Sequence, residues 1–158
     1  TRVRSSAASD VYKRQAFNDV YGFTHGDEAI QLVATTSVDL VRRRGTPQDF
    51  VGHIGGDDFL IVTLPDRAEE IAREIIDTFD REIRHLYSQE DLRQGYIETR
   101  DRRGTLNRFP IMSLSIAIIS NQQRKLENYA QIGEAAAELK RYAKSIGGSV
   151  YVKDKRRK

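Results

Sequence analysis

At 158 residues with 39% hydrophobic content, the chain is long enough for one core and short for two comfortable domains. It has no cysteine and three histidines, His25, His53 and His85, which excludes disulfides and thiolate zinc sites and argues against a histidine-rich metal centre. The formal charge of +3 belongs to the ends, since residues 1–15 carry a net +3 and residues 153–158 a net +4, leaving −4 for residues 16–152; a nucleic-acid partner is therefore not expected.

Residues 1–15 are small, polar and basic, with no usable apolar period, and the texture changes at Ala16. They are expected to be an appended, non-native segment; residues 4–15 also resemble translated adapter sequence. The domain is then expected over 16–152, followed by a basic tail over 153–158.

From Asp27, apolar residues Ile30, Val33, Leu40 and Val41 follow helical spacing to a stop at Gly45 and Pro47, which predicts a helix over 27–44. Residues 49–54 and 59–64 are β-rich runs joined by Gly55-Gly56-Asp57-Asp58, the pattern of a hairpin. After Pro65, the residues Ile71, Ile75, Phe79, Ile83 and Leu86 recur every three or four positions, so a long amphipathic helix is expected to about Tyr87, with residues 88–94 as a connector. Residues 96–100, the turn Asp101-Arg102-Arg103-Gly104 and a strand over about 111–119 suggest a second hairpin. Asn128 is placed to cap a last helix with the stripe Ile132, Ala136, Leu139, Ala143; Gly147-Gly148 ends it, and residues 149–152 form a final strand. This order is α+β, with helices packed on a central, mostly antiparallel sheet and one strand missing before Ala16. The apolar runs fall far short of the roughly 20 residues that span a bilayer, so a soluble module without membrane contact is expected, and the lack of cysteine suits the cytoplasm.

The chemistry concentrates at Gly55-Gly56-Asp57-Asp58. Adjacent carboxylates repel unless solvated or neutralised by a cation, and the glycines let a phosphate approach the backbone. An exposed polar turn is the plain alternative. The segment Gly55-Gly56-Asp57-Asp58-Phe59 nevertheless resembles the signature of the GGDEF family. Upstream, Phe17-Asn18-Asp19-Val20-Tyr21-Gly22-Phe23-Thr24-His25-Gly26-Asp27 resembles that family's nucleotide-site motif. The similarity extends over 16–152, with residues 113–119 in place of the late core strand and Ala143-Lys144 near the end of the last helix.

The resemblance implies a palm-like, nucleotide cyclase-like fold and diguanylate cyclase chemistry, in which two facing protomers each hold one GTP and a ribose 3′-hydroxyl attacks the α-phosphate of the other. It makes Asp57 the catalytic and metal carboxylate, for Mg²⁺ or Mn²⁺, and places Asp58 where the family usually has Glu. Asn18 and Asp27 match the guanine-reading pair, although Asp27 could serve as a helix N-terminal charge. Gly55 and Gly56 match the phosphate approach. Lys144 matches a phosphate-binding lysine or is a surface lysine, and the arginine expected four residues later is Gly148.

A metal-binding Asp expected eight residues before the motif Asn falls on Asp10, whose neighbours lack the usual apolar strand. An inhibitory product site would place an arginine at the head of Thr46-Pro47-Gln48-Asp49; here it is absent. His53 reads as a turn or core histidine. The partners implied are GTP, a second copy of the chain, and fused or partner sensory or effector domains. The alternative is a catalytically degenerate module that binds GTP and regulates such a domain.

Overall fold

The computed structural model describes residues 3–8, 11–122 and 125–156. In chain order these form β1 (Val3–Ala8), α1 (Val11–Tyr21), α2 (Phe23–Arg44), β2 (Phe50–Gly55), β3 (Asp58–Thr63), α3 (Pro65–Glu82), α4 (Gln89–Gln94), β4 (Tyr96–Arg100), β5 (Leu106–Pro110), β6 (Ser115–Ile119), α5 (Tyr129–Ile146) and β7 (Val150–Lys153). A five-stranded sheet runs in the order β2-β3-β1-β6-β7, and β4 and β5 make a separate two-stranded sheet. The pairings β2/β3, β1/β3 and β1/β6 are antiparallel, whereas β6/β7 is parallel.

The strand missing before Ala16 is β1. Val3–Ala8, within the segment expected to stand outside the domain, occupies the centre of the sheet, with Ala8 opposite Asp58 on one side and opposite Ser115 on the other. Its six residues, VRSSAA, carry no apolar alternation. A central strand is held by backbone hydrogen bonds along both edges, and these are blind to side-chain pattern.

Helices cover both faces. Ala29, Val33, Leu40 and Val41 of α2 and Ile71, Ile75 and Phe79 of α3 share one buried cluster with Phe59, Ile61, Ile116 and Ile118. Period-2 alternation then turns Ala117 and Ile119 to the other face, where α5 brings Ala135 and Ala143. All of β6 is buried for this reason. Pro65 opens α3 at its first turn, where the missing N–H costs nothing, and Ala68, Ile71, Ala72, Ile75, Ile76 and Phe79 form its buried stripe. The α-helix ends earlier than the expected Tyr87, at Glu82: residues Ile83–Leu86 tighten into a 3₁₀ turn that keeps Ile83 in the core, and the connector 88–94 contains α4, capped by Ser88.

The second hairpin is also corrected. β4 pairs with Leu106–Pro110, and the apolar run that follows belongs to a different sheet. Pro110 has no N–H to extend the ladder. Beyond it the backbone finds other partners: Met112 N–H donates to the Tyr87 hydroxyl at 2.9 Å and Leu114 N–H to Ser149 Oγ at 2.9 Å. The Asn128 cap forms as expected, its side chain accepting from Gln131 N–H at 3.0 Å.

Tyr87 is 6% exposed, and burial raises the pKa of its phenol. Its ring meets Phe17 and Tyr21 of α1 at centroid distances of 4.9 and 5.5 Å, so one residue pins both α1 and the segment leading to β6. Tyr87→Phe keeps the ring and strands the Met112 N–H. A stability loss of about 1–3 kcal/mol is expected in denaturant titration.

Candidate functional site

The Gly55-Gly56-Asp57-Asp58 turn joins β2 to β3 at the edge of the sheet where β1 ends and β6 begins. Gly55 and Gly56 have φ of 151° and 56°, conformations that side chains other than glycine rarely adopt, and a Cβ built on either meets nothing within 4 Å. Conformation, not crowding, therefore requires these glycines, and the space beside their backbone is open. His53 braces the turn from within: its ring stacks on Phe59 at 4.5 Å and its Nε2 donates to the Gly56 carbonyl at 2.8 Å. Of the two expectations, turn or core histidine, the core one does not hold: His53 is exposed on β2 and contacts the turn.

The two adjacent carboxylates diverge. Asp57 is 7% exposed and borders a small void on the α2 and α3 side, with Ala29, Ile30, Val33, Phe59, Phe79 and Met112. Asp58 points to the α5 side, beside Ile54, Leu60 and Ala136, and its Oδ1 accepts a hydrogen bond from Lys140 Nζ at 2.8 Å. Among the described residues no group of three or more His, Cys, Asp or Glu gathers where it could hold a metal ion. Asp10, the remaining candidate carboxylate, lies outside the described residues.

A second cluster sits where α1 turns into α2. The turn is closed by Gly22, whose N–H donates to the Asn18 carbonyl at 2.8 Å and whose φ is 88°. Gly26 is buried against the Asn18 side chain, and a Cβ at position 26 would overlap Asn18 Oδ1. That oxygen is buried with no hydrogen-bond partner. Asp27 is exposed on α2, beyond a first turn that contains no acidic residue. The helix-terminus explanation for Asp27 therefore loses its basis, because the dipole effect fades within the first turn.

Lys144 is exposed on α5, one turn beyond Lys140. Gly148, where the resemblance anticipated arginine, has φ of 68°, and Gly147 has φ of 78°. An arginine at 148 would be strained in this backbone. Sequence reading named Lys144 and passed over Lys140, because a lysine at that point looks like part of a cationic helix face; only the packing of α5 on the sheet brings it to Asp58.

Asp49, at the end of the frame that would form a product site, is absorbed by its own turn. Its carboxylate accepts from Thr46 N–H at 3.0 Å, Thr46 Oγ1 at 2.8 Å and Thr63 Oγ1 at 2.6 Å. Burial pushes its pKa up, but the hydrogen bonds from Thr63 and from the Thr46 backbone and hydroxyl, helped by Arg67, outweigh it, and the pKa lies below the ordinary 3.8. A depressed pKa stabilises the fold above the unfolded-state value and loses that contribution as pH falls through the folded value. Melting temperature should accordingly drop below about pH 4, and Asp49→Asn should flatten that part of the profile while lowering stability at pH 7.

Comparison with known proteins adds the following. The family model described as "Diguanylate cyclase, GGDEF domain" matches residues 7–149, starting inside the segment expected to be appended. A curated relative, the probable diguanylate cyclase DgcJ of Escherichia coli, is 29% identical over 85 residues, which is 54% of this chain and 16% of that protein. The chain thus aligns with only a small part of that relative's length. Among solved structures, the GGDEF domain of YfiN from Pseudomonas aeruginosa aligns with a TM-score of 0.63 at 21% identity, covering 96% of this chain and 76% of that one. The active GGEEF domain of a diguanylate cyclase from Vibrio cholerae aligns at 0.63 with 19% identity, covering 95% and 81%. The GGDEF domain of DgcB from Caulobacter crescentus, in complex with c-di-GMP, aligns at 0.59 with 18% identity, covering 96% and 77%. These likenesses establish the palm-like cyclase fold. No helix among the described residues is long and apolar enough to cross a membrane.

Proposed function

Because the chain belongs to the GGDEF family of diguanylate cyclases, we propose that it binds GTP with a divalent cation and, as a homodimer, condenses two GTP molecules into cyclic di-GMP. The observation that carries the nucleotide reading is the α1–α2 corner, where Asn18 Oδ1 is an acceptor left without a donor and Asp27 stands exposed nearby in sequence on α2. A buried acceptor without a partner costs about 1–3 kcal/mol. Guanine offers donors at N1 and at its exocyclic amine, which suit two acceptor groups, and adenine would leave a carboxylate there unmatched.

The donor chemistry of the hairpin fits a hard cation. The hairpin's two carboxylates face opposite sides, so Asp57 is the one assigned to the ion, and Mg²⁺ is commonly held by one or two carboxylates together with substrate phosphates; Mn²⁺ accepts the same donors. Asp57 would hold the ion, joined by Asp10 if that residue serves as a ligand. Bound there, the ion neutralises phosphate charge and favours the attacking hydroxyl. The protein's own parts are simpler: Asn18 and Asp27 orient the base, the open backbone at Gly55 and Gly56 admits the phosphates, and Lys144 supplies a cation toward them.

The second reading, a module that binds GTP and regulates a fused or partner domain without turnover, draws on two features. Gly148 sits in a left-handed conformation where an arginine was anticipated, and Asp58 is already paired with Lys140. Both reduce what the site has available for triphosphate and metal.

Calorimetry with Mg²⁺ should give tighter binding for GTP than for ATP, and Asp27→Ala should erase the difference; equal affinities for the two nucleotides would remove the base-reading assignment. Chromatography of GTP incubations then separates the two readings. Cyclic di-GMP that forms and disappears in Asp57→Ala, where loss of a positioned group costs about 10²- to 10⁴-fold, supports the enzyme. GTP binding without product supports the regulatory module. Cyclic di-GMP itself should not bind at sub-micromolar affinity through residues 46–49, since Thr46 replaces a bidentate cation and Asp49 is engaged within the turn; loss of such affinity in Asp49→Ala would contradict this.

A further inference from the structure

The joint between α1 and α2 does not fix its own angle. Gly22 has φ of 88°, offers no side chain to cap α2, and closes α1 through its N–H to the Asn18 carbonyl at 2.8 Å. A glycine between two helices leaves their relative setting to whatever packs around them. On the buried side this is an aromatic stack, in which the fully buried Phe17 meets Tyr21 and Tyr87 at centroid distances of 4.8 and 4.9 Å. Ring contacts tolerate sliding, whereas hydrogen bonds are directional.

The directional contact is made by Tyr21. Its hydroxyl donates to Asp91 Oδ2 and accepts from Ser88 N–H at 3.0 Å, so one phenol grips both sides of the first turn of α4. Asp91 lies 70 positions downstream, in the connector and outside both motifs. Its carboxylate is preset, because Oδ1 accepts from Gln94 Nε2 at 2.8 Å and its own N–H donates to the Ser88 hydroxyl at 3.1 Å. A hydrogen bond to a carboxylate is roughly twice as strong as one between neutral groups. Burial, and then the bond to Asp91, raises the Tyr21 phenol above its ordinary 10.0, which keeps it a donor at neutral pH. α4 has no buried residue, only Leu92 leaning on the core, so this polar contact is its directional tie to α1.

We propose that Asp91 is a positioning residue of the nucleotide site: through the Tyr21 hydroxyl it fixes the last turn of α1, where Asn18 stands, and thereby sets how strictly the site selects guanine. This rests on the reading of the α1–α2 corner as the base-reading site. Asn18 packs on Gly26 of α2, and Asp27 follows next in the chain. A change in the setting of α1 therefore moves the first reader relative to the second. Recognition by two groups depends on their spacing, so the shift costs guanine affinity and leaves a base that the pair does not read unaffected.

The test is calorimetry of the full chain with GTP and with ATP in Mg²⁺. Tyr21→Phe keeps the ring stack and removes the hydroxyl; Asp91→Ala removes the carboxylate and leaves the Ser88 cap in place. Each should weaken GTP binding about fivefold and leave ATP unchanged, and the double variant should lose no more than either single one, as expected of two groups in one contact. Tyr87→Phe is the control for stability alone. It strands a buried N–H beside the same aromatic cluster without touching the Tyr21 hydroxyl, and its ratio of GTP to ATP affinity should stay that of the unsubstituted chain. A second readout needs no nucleotide: amide hydrogen exchange at Gly22 should quicken severalfold in Tyr21→Phe and in Asp91→Ala but not in Tyr87→Phe.

Lower melting temperatures with an unchanged GTP to ATP ratio would make the contact merely structural and overturn the proposal, as would additive losses in the double variant. The outcome is separable from the nucleotide reading. A GTP preference that survives both single variants leaves the base-reading assignment standing and the proposal refuted. If the unsubstituted chain does not prefer GTP, that assignment falls, and Gly22 exchange decides the rest: quicker exchange in both variants upholds the positioning of α1 by Asp91, and unchanged exchange ends it.

Discussion

Everything at the site hangs on the backbone ladder of β1. By pairing with β3 on one side and β6 on the other, Val3–Ala8 fixes where the signature turn stands relative to the late core strand, and hence relative to α5 on one face and to α2 and α3 on the other. The Cα registers Ala8↔Asp58 and Ala8↔Ser115 set the end of the sheet at which the chemistry gathers. A register slip of one residue would exchange the faces of β3, moving Asp58 out of reach of Lys140 and Phe59 out of the core.

Consecutive aspartates look like a single acidic site, yet Asp57, still in the turn, borders the α2 and α3 side, whereas Asp58, the first residue of β3, faces α5. On the α5 face, Lys140 pairs with Asp58.

Glycines and threonines do comparable work at the other corners. Gly26 lets α2 close on Asn18, Gly22 makes the turn between α1 and α2, and Gly148 takes a backbone conformation that shuts out the arginine once expected there. Around Asp49, Thr46 and Thr63 turn a potential anion-recognition frame into a self-satisfied turn. In each case the chemistry available to a ligand is set by how the chain first satisfies itself.

The sequence by itself determined the α+β class, the hairpin over Gly55-Gly56, the amphipathic stripe of α3, the Asn128 cap and the family, because these depend on local periodicity, turn chemistry and motif order, all written in neighbouring residues. It left the site half legible: Asn18, Asp27, Asp57, Asp58 and Lys144 were named from motif positions, while Lys140, the Tyr87 anchor and the short helix α4 were not. Only the tertiary structure decided that an unpatterned polar segment is the central strand, that the run after Pro110 leaves its hairpin for another sheet, and that Asp57 and Asp58 face apart. Those outcomes depend on backbone hydrogen bonds and on contacts between residues far apart in the chain, 82 positions for Lys140 and Asp58 and 100 for Lys13 and Ser113, and no local pattern in a chain encodes a partner that only folding brings near.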